Sequence, residues 1–166
     1  MNRPLGFLLL LPVIFAGVVS AQVVSPEADD VAPPRQNVFG LGFFGGPASG
    51  VGLNFRHHLP SSLSYQITGG IIKVDDHLSY SIGAELEYDI KRTNTTRLFA
   101  AAGTSYFHSG KPEENEMAAP ERIGIGIGGE VHAGGGFHAT VELLFTFFSD
   151  GTVLPLPQIG FCYYFR

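Results

Sequence analysis

From position 37 onward, apolar residues alternate with polar or small ones in runs of about ten, broken by clusters of Gly, Pro, Asn, Asp and Ser. That is the mark of strands joined by turns, and no segment shows a helical period. Eight runs can be drawn: 37–46, 49–58, 63–74, 77–92, 95–108, 122–133, 137–149 and 153–166. The fourth is the clearest. Leu78, Tyr80, Ile82, Ala84, Leu86, Tyr88 and Ile90 fall on one face; Ser79, Ser81, Gly83, Glu85, Glu87 and Asp89 fall on the other. The sixth sets Ile123, Ile125, Ile127, Val131 and Ala133 against Arg122, glycines, Glu130 and His132. The seventh sets Phe137, Ala139, Val141, Leu143, Phe145 and Phe147 against His138, Thr140, Glu142 and Thr146, and the last sets Ile159, Phe161, Tyr163 and Phe165 against Gln158, Gly160, Cys162 and Tyr164. The first three agree less cleanly, through Phe39, Leu41 and Phe43, then Val51, Leu53 and Phe55, then Leu63, Tyr65 and Ile67. In the fifth, Leu98 and Phe99 compete for the apolar face, and Arg97 is assigned to the polar one.

An even number of strands brings both chain ends to one side, as a closed barrel requires. The phase follows from electrostatics: if the apolar face of the fourth run lined a lumen, Glu85, Glu87 and Asp89 would meet lipid, at about 1–4 kcal/mol for each misplaced charge. The expected fold is all-β: an eight-stranded antiparallel up-and-down transmembrane β-barrel. Turns after the second, fourth and sixth runs are short (59–62, 93–94 and 134–136), which reads as the periplasmic side. The one extended loop, 109–121 with Glu113, Glu114 and Glu116, is then expected outside, beside tips at Asp75-Asp76 and 149–151.

Composition supports a wall facing something other than water. Charged residues are 15% of the chain, against about 25% in ordinary globular domains, while glycine numbers 22 and aromatics reach 12%. A net charge of -5 without a basic cluster excludes a nucleic-acid partner. At the amino end, Arg3, the apolar stretch 5–19 and Val19-Ser20-Ala21 read as a cleaved signal peptide over 1–21. Residues 22–36, rich in Pro, Asp and Glu, read as a disordered periplasmic leader, and 37–166 as the barrel domain. The single cysteine, Cys162, allows no internal disulfide.

The signal peptide, the alternating strands and the closing string QIGFCYYFR together resemble the small outer-membrane β-barrels of the OmpA/OmpX type over 37–166. The resemblance implies a cell outer-membrane location, lipid and lipopolysaccharide as surroundings, and a barrel assembly machinery that reads the last strand. It assigns that assembly signal to Ile159, Phe161, Tyr163 and Phe165, although Phe165 is penultimate before Arg166 where the family ends on an aromatic residue.

Inward charges of both signs, Arg56, Arg97 and Arg122 against Glu85, Glu87, Asp89, Glu130 and Glu142, predict a lumen charge network. Eight strands enclose an interior that side chains can fill, so pairing is expected instead of a conducting channel. No metal, cofactor or catalytic residue is expected. His132 and His138 flank a turn and can face inward with Glu130 or Glu142, but two histidines are a weak zinc signal. His57 and His58 point to opposite faces. Some barrels of this size modify lipid A, yet His108 and Ser109, with Glu113 or Glu114 beyond, are neighbours on a strand and lack the His-x-Ser spacing of the deacylases. Asn94-Thr95-Thr96 matches a glycosylation acceptor by accident. The reading is a monomeric, non-enzymatic outer-membrane barrel that supports the envelope or presents loops; a lipid A or phospholipid modifying enzyme and a secreted lipocalin-like binder are the alternatives.

Overall fold

The computed structural model describes residues 37–165; the expected signal peptide 1–21, the leader 22–36 and Arg166 lie outside the described residues. The strands are β1 (Val38–Gly46), β2 (Gly50–His58), β3 (Leu63–Val74), β4 (His77–Arg92), β5 (Thr96–Lys111), β6 (Glu114–Asn115), β7 (Glu121–Gly134), β8 (Phe137–Phe148) and β9 (Val153–Phe165). Apart from the two-residue β6, each pairs antiparallel with its neighbour in sequence. β9 returns to β1, from Phe39 opposite Phe165 to Gly45 opposite Ile159, so eight strands close into an up-and-down barrel. Closure leaves every long strand a partner on both edges and so pairs the backbone polar groups internally. The end carrying both described termini, with turns 59–62, 93–95 and 135–136, is called the terminal end here, and the opposite one the distal end.

Side chains take the phase that the alternation predicts. Leu86 and Ile125 are 62% and 59% exposed on the outer wall, while Glu85, Glu87 and Glu130 are buried inside. The competition in β5 is resolved with Leu98 outside and Phe99 fully buried beneath the Arg97 guanidinium, 4.2 Å from the ring centroid. Aromatic groups gather toward both rims. His57 stacks on Phe39 at 4.1 Å and meets Tyr65 near the terminal end, where Phe137, Tyr163 and Phe165 also pack, and Tyr80 lies against Tyr106 near the distal end. From Tyr80 to Tyr88 is about 27 Å of strand. At the usual tilt of about 35–45° this gives an apolar band roughly 20 Å high, near the height of about 25 Å that a bilayer requires.

One expectation needs correction. The loop over 109–121 is not extended: β5 runs on to Lys111, and β6 folds back so that Lys111 faces Glu114 and Gly110 faces Asn115. The Asn115 side chain holds this hairpin. Its Oδ1 accepts from the N–H groups of Ser109 and Met117 (3.1 Å each), and its Nδ2 donates to the Phe107 carbonyl at 2.8 Å. The turn between β1 and β2 folds inward, with Ala48 and Ser49 wholly buried within the barrel. Since β1 bends away at Gly46, β9 has no β1 partner beyond Ile159. Pro155 and Pro157, which lack the N–H a central strand needs, fall in that stretch. At the 149–152 turn, the Asp150 carboxylate accepts from the Thr152 N–H at 2.9 Å, which holds its carboxyl below the usual range.

Candidate functional site

Arg56 on β2 organises the lower lumen. Its Nη1 donates to Glu130 Oε2 across the barrel (2.6 Å) and to Thr140 Oγ1 (3.0 Å), while Nη2 donates to Gln66 Oε1 (2.7 Å) and lies 3.2 Å from Glu87 and 3.9 Å from Glu142. Arg97 on β5 binds Glu87, reaches Glu130 Oε2 at 3.2 Å and lies 3.5 Å from Asp89. One carboxylate, Glu130, thus takes both guanidiniums and the Tyr164 hydroxyl, which donates to it at 3.2 Å. Amides and hydroxyls hold the remaining acids. Gln66 Nε2 donates to Glu85 at 3.0 Å, Gln158 Nε2 to Glu142 at 2.9 Å, and Ser49 Oγ to Glu85. Buried charges persist when paired and hydrogen-bonded in this way, whereas one left alone is costly.

Among the sequence-predicted lumen residues, Arg56, Glu85, Glu87, Asp89, Arg97, Glu130 and Glu142 meet in this cluster, and Arg122 does not. Arg122 lies at the far end of β7 from Glu130, its guanidinium over the rings of Phe107 (4.0 Å) and Phe148 (5.0 Å) and its Nε donating to the Ala119 carbonyl. The two positions share a face but are roughly 26 Å apart along the strand, too far for one network. Gln66, Gln158, Tyr164, His58 and Ser49 complete the cluster. Parity with Arg56 and with the apolar face of β3 pointed several of them inward, but gave no sign of which partner each would meet.

The 47–49 tip stoppers the distal half. Ala48 N–H donates to Gln158 Oε1 at 3.0 Å, and Ser105 Oγ to the Pro47 carbonyl at 2.8 Å. Ala48 joins Phe99, Ala101 and Leu144 in an apolar layer across the lumen. The facing wall is glycine for lack of room: a Cβ at Gly124 would stand 2.4 Å from that of Ala48, and one at Gly83 2.4 Å from Ser49 backbone.

The rims gather the histidines. On the terminal side, His132 and His138 are cross-strand partners, their Nδ1 and Nε2 atoms 3.2 Å apart, and His138 Nδ1 lies 3.0 Å from Glu130 Oε1. His58 points inward to the Tyr164 hydroxyl (2.7 Å), away from outward His57. On the distal side, His108 and Ser109 do not face each other. His108 stacks on Tyr80 and bonds to the Lys111 carbonyl at 3.0 Å, whereas Ser109 Oγ lies 3.1 Å from His77 Nε2 on β4. Only the β4–β5 register brings His77 and Ser109 together. Ile159, Phe161, Tyr163 and Phe165, the residues expected to form an assembly signal, face outward along β9, opposite Gly45, Phe43, Leu41 and Phe39 of β1.

No protein family matches the chain, and no curated protein does. Among solved structures, the fold is similar to that of the Yersinia pestis outer membrane protein Ail in a phospholipid bilayer nanodisc, at 12% identity and a TM-score of 0.44, over 78% of this chain and 98% of that one.

Proposed function

We propose that this chain is an integral outer-membrane β-barrel protein with a filled lumen, which braces the envelope or presents its distal turns to the surroundings and neither conducts solutes nor catalyses a reaction. The observation that carries this reading is the inversion of the wall: exposed Leu, Ile, Val and Phe outside every long strand, and paired charges within. A soluble monomer rarely exposes an apolar patch of more than a few hundred Å², and this one encircles the molecule. A lipocalin-like binder would need the reverse phase, with a charged outer face and an apolar cavity. The polar cluster and the buried 47–49 tip favour a closed interior over a pore, and the separation of His108 from Ser109 disfavours the enzyme reading built on that pair. The partners this reading implies are outer-membrane lipid and lipopolysaccharide, with the assembly machinery during biogenesis, around a single copy of the chain.

Membrane fractionation followed by unheated and heated gel electrophoresis tests it. The expected result is protein in the outer-membrane fraction that migrates faster unheated, and planar bilayers that show no stable conductance steps after its addition. Recovery in the aqueous periplasmic extract, or reproducible single-channel steps, would refute the corresponding half of the reading.

A further inference from the structure

The β7–β8 hairpin carries features of a metal site that the wall does not require. His132 and His138 face each other across the last pair but one before the 135–136 turn, just ahead of the register shift at Ala133, with His132 Nδ1 and His138 Nε2 3.2 Å apart. Two nitrogens on one tetrahedral zinc, each at about 2.0–2.1 Å, stand about 3.3 Å apart. The separation is therefore that of a chelating pair, and each lone pair must turn by about 35° off the line joining the nitrogens to meet a shared ion.

The second observation is independent of the pair. The other ring nitrogen of His138, Nδ1, bonds to Glu130 Oε1 at 3.0 Å, the carboxylate–histidine arrangement that fixes a ligand's tautomer and raises its basicity. Glu130 is itself held: its Oε2 takes Arg56, Arg97 and Tyr164, which leaves Oε1 for the imidazole. With Nδ1–H donated to Glu130, His138 presents its Nε2 lone pair toward His132. Binding then requires only that the His132 proton move from Nδ1 to Nε2. The mouth is open, since nothing lies within 4 Å of a Cβ placed on Gly134 or Gly135, and the His138 side chain keeps 23% of its surface.

We propose that His132 Nδ1 and His138 Nε2 bind one borderline divalent transition ion, Zn²⁺ or Cu²⁺, with Glu130 as the positioning carboxylate behind His138 and water completing the coordination. Imidazole suits these ions, and a pair of protein ligands leaves exchangeable positions, so the site is one for capture and release. It rests on the hairpin and the lumen cluster, not on the membrane reading. The rival acidic trio Glu85, Glu87 and Glu142 has ligand atoms within 4.8 Å of one another, but the Arg56 guanidinium stands among them.

The test uses the mature chain, purified without a polyhistidine tag and refolded in detergent micelles. ZnCl₂ is titrated by calorimetry, and CuCl₂ is followed by electron paramagnetic resonance. One saturable site is expected, with hyperfine splitting from two imidazole nitrogens. His132→Ala and His138→Ala should each abolish it, and Glu130→Gln should weaken it about 10- to 100-fold while leaving the two-nitrogen signature intact. His132→Ala alters only a rim residue; it is checked for barrel circular dichroism, and His132→Gln replaces it if folding fails. Absence of saturable binding, binding unchanged by either histidine substitution, or binding lost on Glu142→Gln but kept in His132→Ala would overturn the proposal.

Discussion

Substitution of Ile125 by arginine puts the inverted wall to a quantitative test. Ile125 faces outward between Ala102 of β5 and Phe145 of β8. It lies four residues along β7 from Glu121, which faces Tyr106 near the distal rim. That is about 13 Å of strand and, with the usual tilt, about 10 Å of depth, close to the midplane of a band about 25 Å high. An arginine there is expected to cost about 2–4 kcal/mol, roughly a 30- to 700-fold fall in the folding constant. The paired control is Val74→Arg, at an exposed position beside the distal turn 75–76, where the cost should be about 0–1 kcal/mol. The chain has no tryptophan, so folding is followed by far-UV circular dichroism and by the fraction that migrates fast on unheated gels during urea titration in lipid vesicles. If water met the wall, both substitutions would lie within about 0.5 kcal/mol of the parent. Equal small effects at the two positions would therefore refute the assignment of the apolar face to lipid.

Three further outcomes are expected. Arg56→Met leaves Glu142 without a guanidinium and Glu87 and Glu130 to share Arg97 alone, and should cost about 3–5 kcal/mol in urea unfolding, part of it recovered in Arg56→Met/Glu130→Gln; a loss below 1 kcal/mol would show that these acids do not depend on Arg56. Gly124→Val collides with Ala48 and should either destabilise by about 1–3 kcal/mol or expel the 47–49 tip into protease reach, whereas Gly129→Ala, whose Cβ would meet only the Arg97 carbonyl at 3.9 Å, should do neither; equal digestion of the two would argue against the stopper. Phe165→Ala should lower outer-membrane levels in cells more than it lowers refolding yield in vitro, and an equal effect in both would assign Phe165 to packing against Phe39 and Tyr163 instead of to an assembly signal.

The sequence alone determined the eight long strands, the bounds of β3 and β4 and the face that every long strand but β5 turns outward, because period-two alternation is a local property that closure does not alter. Leu98 against Phe99 was undecidable locally: both are apolar, and the choice follows from Arg97 reaching Glu87 and Glu130, with Phe99 packed beneath the guanidinium. The inward parity of Arg56 and Arg122 was legible, but their separate fates were not, since contacts across a lumen depend on how the strands are staggered around it. Register likewise set His77 beside Ser109 and aligned His132 with His138 above Glu130. The tertiary structure alone decided that 47–49 turns inward: β1 and β2 are short, and the glycines that make room for the tip come from β4, β5 and β7, distant in sequence and joined only when the barrel closes.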